Sequence, residues 1–236
     1  MKIALITGGN GQLGKSYIKT LTKNGYFVYS IDIKHSKTKI ENVKKIILDI
    51  TDEKEIGKFF KNIKHLDLLI NNAGIGVFTP TQKRSIDEFK KVLNVNLVGT
   101  FIMSQFALKK MVKQKKGKII NIGSVYGIKS SDPRIYGNSG RNNSEVYSAS
   151  KAGVIMLTKY LASHYAKYNI QINSISPGGI LNNQDKRFQI NYSYKTPAGR
   201  MASTNDMQSV LEMLISKKSN YINGSNIVVD GGFTSW

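Results

Sequence analysis

Residues Thr7 to Gly14 read TGGNGQLG, set between a short apolar run, Lys2–Thr7, and a segment, Lys15–Lys23, whose Tyr17, Ile18 and Leu21 recur at helical spacing. This arrangement predicts a strand that turns sharply into a helix through a glycine-rich stretch. Gly8 and Gly11 can take positive φ without a Cβ penalty, and Gly14 lets the helix pack closely on the strand. The N–H groups left open at the helix start, together with its dipole, suit a pyrophosphate. A glycine-rich string alone is weak evidence. The strand–turn–helix setting strengthens it, and the bland alternative is a tight turn that binds nothing.

The rest of the chain alternates in the same way. The pattern predicts strands over Tyr26–Ile33, Ile46–Leu48, Leu66–Ile70, Lys118–Ile122, Ile170–Ile175 and Ser225–Val229. Between them it predicts a helix capped by Thr51 and running through Phe60. Long helices follow over Ser85–Gln114 and Val146–Lys167, and a short one over Asp206–Ser216. Strands separated by helices imply right-handed crossovers and a parallel sheet. The expected fold is α/β, a doubly wound parallel sheet of Rossmann type with about seven strands and helices on both faces. No repeat or linker divides the chain, so residues 1–236 are expected to form one domain. Pro177–Arg200 shows no periodicity, and an irregular stretch of that length is usually functional. It suggests a lid over a substrate.

Composition narrows the chemistry. The chain has no cysteine, which excludes disulfides, thiolate metal sites and cysteine nucleophiles. The three histidines, His35, His65 and His164, lack metal-ligand spacing, so no metal site is expected. Ile3–Ile6 is too short for a signal-peptide core, and no apolar run approaches a membrane span. The expected location is the cytoplasm. The 236 residues carry 35 Lys+Arg against 15 Asp+Glu, a formal net charge of +20. That excess suggests polyanions or a phosphorylated substrate, but the lysines are spread along the chain. No nucleic-acid module or aromatic-interleaved basic stripe is present. A solvated lysine-rich surface is the preferred reading, with no specific nucleic-acid partner.

Asp32 falls at the end of the second strand, 24 residues after Gly8. An acidic group near that distance holds the ribose hydroxyls of a bound adenosine, and its charge repels a 2′-phosphate. NAD(H) is therefore favoured; Lys34, His35 and Lys37 lie close enough that NADP(H) is not excluded. Tyr147 and Lys151, four apart early in a helix, share one face. An ammonium beside a phenol is expected to lower its pKa and bring it towards acid–base use. Alone, the pair reads better as a surface pair on an amphipathic helix.

Taken in order, TGGNGQLG, Asp32, Asp49-Ile50, Asn71-Asn72-Ala73-Gly74, Asn96, Asn121-Ile122-Gly123-Ser124, Tyr147…Lys151, Pro177-Gly178 and Asp230-Gly231-Gly232 make the chain resemble the short-chain dehydrogenase/reductases over nearly its whole length. The resemblance implies that Gly8, Asn10, Gly11, Gln12, Leu13 and Asp32 bind the dinucleotide, with Asp49 and Ile50 bordering the adenine. Asn72, Ala73 and Gly74 would support the cofactor, and Pro177, Gly178 and Ile180 would flank the nicotinamide. Ser124 would polarise the substrate carbonyl, and Tyr147 would exchange a proton with its oxygen. Lys151 would bind the nicotinamide ribose and tune Tyr147, while Asn96 would hold a proton-relay water. A homodimer or homotetramer is implied as well.

Some features depart from that pattern. The glycines follow T-G-x-x-G-x-x-G, the spacing of the family's extended members, yet the chain is short. Ser124 and Tyr147 are 23 positions apart, and the added loop holds Tyr126, Asp132, Arg134, Tyr136 and Arg141. That loop faces either the substrate or an oligomer contact. The usual threonine after Pro-Gly is missing, with Asn182 or Asn183 as replacements. The loop after Ser124, SPGGILNNQ and KTPAGRMA resemble a subgroup found with flagellin modification and nonulosonic-acid sugars. This implies a polar, anionic sugar phosphate or nucleotide sugar, with Lys186, Arg187, Lys195 and Arg200 as anion ligands or merely as solubilising charges. The alternatives are a reductase of another carbonyl class, such as 3-oxoacyl substrates, and a basic cofactor-binding or nucleic-acid-binding regulator without catalysis. The acyl reading needs an apolar pocket, against which the polar 181–196 segment argues.

Overall fold

Apolar residues fill both faces of the inner strands, the pattern of a sheet covered on either side. In β1 (Lys2–Thr7), Ala4 and Ile6 enter one core while Leu5 enters the other. Leu69 of β4 (Leu68–Asn71) and Ile119 of β5 (Gly117–Ile122) join Leu5, whereas Leu68, Ile70, Ile120 and Ile122 join Ala4 and Ile6. The computed structural model describes residues 1–139 and 141–236. Its sheet also contains β2 (Tyr26–Asp32), β3 (Val43–Ile47), β6 (Ile170–Pro177) and β7 (Asn226–Val229). All seven strands are parallel, in the order β3-β2-β1-β4-β5-β6-β7.

Helices cover both faces. On one, α1 (Gln12–Lys23) and α7 (Gln208–Ile215) bury Tyr17, Leu21, Leu211 and Leu214. On the other, α2 (Glu53–Lys61), α4 (Thr100–Gln114) and α5 (Glu145–Tyr165) bury Ile56, Phe60, Met103 and Leu161. Strand order reverses between β1 and β4, and in such sheets ligands bind at the carboxyl ends of the strands flanking that point.

Four expectations need correction. The long helix over Ser85–Gln114 is α3 (Ile86–Leu93) and α4 joined by a π-helical turn, Asn94–Gly99. This widening is invisible to an apolar periodicity that continues through it, and it carries Asn96. The segment Pro177–Arg200 is not wholly irregular, because it contains α6 (Lys186–Lys195). Only Tyr192 of α6 is buried, so no apolar stripe announced it. The third strand starts at Val43, whose Lys44 and Lys45 masked it. The cap of α2 is Asp52, which accepts from Glu55 N at 3.0 Å. The Thr51 hydroxyl is already committed to Asp49 Oδ1 at 2.8 Å.

Candidate active site

Gly8 has φ +64°, and a Cβ there would lie 2.8 Å from Ala73 Cα. A Cβ on Gly14 would overlap the Gly8 carbonyl oxygen and come within 2.8 Å of Gly9 Cα. Gly11 corrects the expectation of a second positive φ: it is the N-cap of α1 with φ −68°. Asn72 holds the turn from the β4 side. Its Nδ2 donates to the Thr7 and Gly8 carbonyls at 3.1 and 3.0 Å, while Asn72 N and Ala73 N donate to Thr7 Oγ1 at 3.1 Å each. Asn10 N donates to Asp32 Oδ2 at 2.9 Å, which places the β2 carboxylate beside the glycine turn. No side chain caps α1 and its first turn holds no acidic residue. A backbone cradle that any Cβ would fill, an uncapped helix start and a neighbouring carboxylate fit a dinucleotide with free ribose hydroxyls.

β5 ends at Ile122 and delivers Ser124, whose hydroxyl accepts from Tyr126 N at 3.1 Å. Ser144 caps α5 by accepting from Tyr147 N at 3.2 Å, which fixes the turn that carries Tyr147. One helical turn on, Lys151 is buried, and its Nζ donates to the Ile122 carbonyl at 2.7 Å. The ammonium lies 5.7 Å from the centre of the Tyr147 ring. Burial pulls Lys151 down to about 8. Burial also pushes the Tyr147 phenol up, partly offset by the Ser124 hydroxyl, with a further upward push from nearby Tyr136. The expected lowering of Tyr147 by Lys151 is therefore not what the structure shows. The ammonium is committed to a carbonyl, and burial disfavours both charged forms.

The depressed Lys151 predicts a stability effect. Below pH 8 the folded chain carries a desolvated ammonium; above about 10.5 both folded and unfolded chains carry the neutral amine. Between these limits the unfolded state binds more protons, so this group's contribution to stability rises with pH. Lys151→Met is expected to raise Tm at pH 7 by a few degrees, because about 3 kcal/mol of relieved desolvation exceeds the loss of about 1–3 kcal/mol at the unpaired Ile122 carbonyl. The gain should vanish towards pH 10.5. Thermal melts across that range check it, and a Tm that falls at pH 7 would contradict it.

A cleft of about 560 Å³ opens at these strand ends. Ser124, Tyr147 and Lys151 line it together with Gln12, Leu13, Asn72 and Gly74. Pro177, Gly178, Ile180 and Asn182 form its lid side; Asn183 does not reach it. Gln12 Nε2 donates to the Leu181 carbonyl at 2.6 Å, tying the glycine turn to the lid. Gly8, Asn10, Gly11, Asp32 and Ala73 lie outside the cleft lining, at the turn beside it. Asp49 and Ile50 do not line it either: Ile50 is buried in the core against Gly99, and Asp49 Oδ1 accepts from Thr51 N at 2.8 Å. Asn96 sits beneath the cleft. Its Oδ1 accepts from Ile75 N at 2.8 Å, and its Nδ2 donates to Ile75 O and Ser150 Oγ at 3.0 Å each.

The added loop faces the cleft through Tyr126, Tyr136 and Arg141, while Asp132 and Arg134 pair with each other at 2.7 Å. Two expected anion ligands are already ion-paired, which corrects that assignment. Lys195 pairs with Asp132, and Arg200 pairs with Asp206 at 2.7 Å. Lys186 and Arg187 do not line the cleft. Phe188, Tyr192 and Met201 do, so the polar 181–196 segment nevertheless supplies an aromatic wall.

Two sets of contacts escape a reading of the sequence. Asn71 Nδ2 donates to Asn121 Oδ1 at 2.8 Å and Ser104 Oγ at 2.9 Å, and Asn121 Nδ2 donates to Thr158 Oγ1 at 2.9 Å. This chain locks β4 and β5 to α4 and α5 beneath the site. Arg84 Nε donates to Glu145 Oε1 at 2.7 Å, pinning the start of α5 to the loop after β4. The asparagines stood inside recognised motifs, but only tertiary pairing reveals what they do; nothing local marks Arg84.

A seven-stranded parallel sheet with a glycine-turn cradle and a serine, tyrosine and lysine on one cleft defines a dinucleotide-dependent oxidoreductase. The chain belongs to the short chain dehydrogenase family, whose profile matches residues 2–191, and it acts on the CH–OH/C=O pair with NAD(P). It is 33% identical over 252 residues to a 2-dehydro-3-deoxy-D-gluconate 5-dehydrogenase of Formosa agariphila, covering 98% of this chain and 92% of that one. It is 37% identical over 246 residues to a 3-oxoacyl-acyl-carrier-protein reductase of Buchnera aphidicola, covering 98% and 96%. A short chain dehydrogenase from Leptospira borgpetersenii, solved with bound NAD+, superposes with a TM-score of 0.94 at 42% identity, covering 99% and 92%.

Proposed function

We propose that this chain is an NAD(H)-preferring oxidoreductase that interconverts a hydroxyl and a carbonyl on a polar, anionic sugar derivative. The observation that carries this reading is the convergence of Ser124, Tyr147 and Lys151 on one cleft wall, with Gln12, Leu13 and Pro177–Ile180 bordering the same space. A dinucleotide held with its pyrophosphate at the glycine turn and its nicotinamide against Pro177–Ile180 would supply or accept the hydride. Ser124 donates a hydrogen bond to the substrate oxygen and polarises the carbonyl. Tyr147 gives that oxygen its proton in reduction and takes it back in oxidation. Its raised pKa keeps the phenol protonated, the form that donates. Lys151 holds the nicotinamide ribose, and its depressed pKa readies it to pass a proton near neutral pH. Asn96 fixes the Ile75 backbone and Ser150 below Lys151, where a relay water would be held.

Asp32 sets the cofactor preference, because its carboxylate, held by Asn10 N at 2.9 Å, repels a 2′-phosphate. Asp32→Ala is expected to weaken NADH about tenfold or more, the loss of a charge-assisted hydrogen bond to the ribose. NADPH should weaken much less. Fluorescence titration of both checks this, and an unchanged NADH affinity would remove Asp32 from the site. Asp49 and Ile50 would meet the adenine through the exposed carboxylate and the backbone.

The sugar reading is supported by rings of Tyr136, Phe188 and Tyr192 on which sugar C–H faces can lie, and by the sugar-acid name of the Formosa relative. The same aromatic wall, with the Buchnera relative, favours a 3-oxoacyl thioester as the second reading. A place in surface-glycan or flagellin-glycan synthesis rests on the loop after Ser124 and the SPGGILNNQ and KTPAGRMA segments. A homodimer or homotetramer is supported by exposed Phe101 on α4 and exposed Met156 and Tyr160 on α5. Among the described residues no helix is long and apolar enough to cross a membrane. NADH oxidation measured with anionic keto sugars against acetoacetyl-CoA separates the readings. The sugar arm should give the larger kcat/KM, and the reverse would select the acyl reading.

A further inference from the structure

One cation on the substrate side of the cleft has no carboxylate partner among the described residues. Arg134 and Lys195 are taken by Asp132, Arg200 by Asp206 and Arg84 by Glu145. Arg141 lines the cleft, and its guanidinium carbon stands 4.1 Å from the centre of the Phe78 ring, which also lines it. Stacking on an aromatic face fixes the plane of the guanidinium and leaves its N–H edges free for a ligand. Arg141 lies within electrostatic reach of Tyr136, which is in turn within reach of Tyr147. The Tyr136 and Tyr126 hydroxyls are 3.4 Å apart. A run of polar groups therefore leads from the reacting end of the cleft to one guanidinium.

We propose that Arg141, with Tyr136 beside it, anchors a carboxylate on the substrate, so that the substrate is a polyhydroxy carboxylic acid oxidised or reduced at a carbon remote from its carboxyl group. This rests on the oxidoreductase reading above. Charge decides for a carboxylate over a phosphate ester. Asp185 lines the same cleft, its Oδ1 accepting from Arg187 N and Phe188 N at the start of α6. A dianion would meet one guanidinium and one carboxylate, whereas a monoanion is matched by the guanidinium alone. Lys151, the other cation in the lining, is committed to the Ile122 carbonyl. The walls between, Tyr136, Phe188 and Tyr192, fit a carbon chain bearing hydroxyls.

The test titrates the NADH-loaded protein, in which no hydride can move, with C4 to C6 aldonates, the matching neutral polyols and a hexose 6-phosphate, followed by calorimetry, and measures oxidation of the same compounds by NAD+ in parallel. An aldonate should bind saturably, more tightly than the polyol or the phosphate. Arg141→Gln should weaken it about ten- to a hundredfold, Arg141→Lys should recover only part of that, and polyol binding should not change. The same split should appear as a raised KM with kcat little altered. NADH affinity of each variant reports that it is folded. Tighter binding of the phosphate, no aldonate binding, or aldonate binding indifferent to Arg141→Gln would each overturn the proposal. Aldonate binding that needs Arg141 but yields no turnover would uphold the anchor and sink the oxidoreductase reading instead.

Discussion

Tyr147→Phe is expected to lower kcat by about a hundred- to ten-thousandfold, the range that a positioned acid–base group supplies. The substitution removes one oxygen from a half-buried ring whose helix start is held by Ser144 and by the Arg84–Glu145 pair. The fold and the glycine turn should be untouched. NADH affinity should therefore change by less than about threefold, since only the proton donor is lost. Steady-state kinetics read with fluorescence titration of NADH on the same preparation give both numbers. Turnover within tenfold of the unaltered protein would remove Tyr147 from the chemistry and leave Ser124 polarising a carbonyl protonated from elsewhere.

The second large effect concerns the cofactor cradle. In Gly14→Ala the new methyl would overlap the Gly8 carbonyl oxygen and press on Gly9 Cα, and both neighbours are backbone. No rotamer relieves that contact. Either α1 moves off β1 or the turn opens, at a cost of about 1–3 kcal/mol for an overpacked site. Tm should fall by several degrees, and NADH affinity should fall more than tenfold because the α1 amides no longer converge on the pyrophosphate. Calorimetric melting and NADH titration check the two parts. An unchanged affinity in a folded variant would place the pyrophosphate elsewhere.

How much of this was legible follows from the range of each interaction. The alternation of Ala4 and Ile6 with Leu5 is local, as is the TGGNGQLG turn, so sheet, helices and cradle could be read directly. Asp32 was legible because a motif separation places it, and the structure sets its carboxylate on Asn10 N. The π-turn at Asn94–Gly99 was not, since it changes backbone pitch without breaking the apolar pattern. Helix α6 was hidden for the opposite reason: KRFQINYSYK has no apolar stripe, and Tyr192 alone anchors it. The pairings that cancelled Lys195 and Arg200 join residues distant in sequence or on separate turns, Lys195 with Asp132 and Arg200 with Asp206. A count of charges near a lid cannot see them. The pKa of Tyr147 moves opposite to the expectation because burial, a tertiary property, raises it and the Lys151 ammonium is turned to the Ile122 carbonyl.

The most direct test of the central claim is titration of the protein with NADH and with NADPH at near-physiological salt, followed by fluorescence. Saturable binding of both, with NADH tighter by about tenfold or more from the Asp32 carboxylate against the 2′-phosphate, is the predicted result. Binding of neither would contradict the assignment of the glycine turn and of the enzyme, and tighter NADPH would show that Lys34, His35 and Lys37 outweigh Asp32.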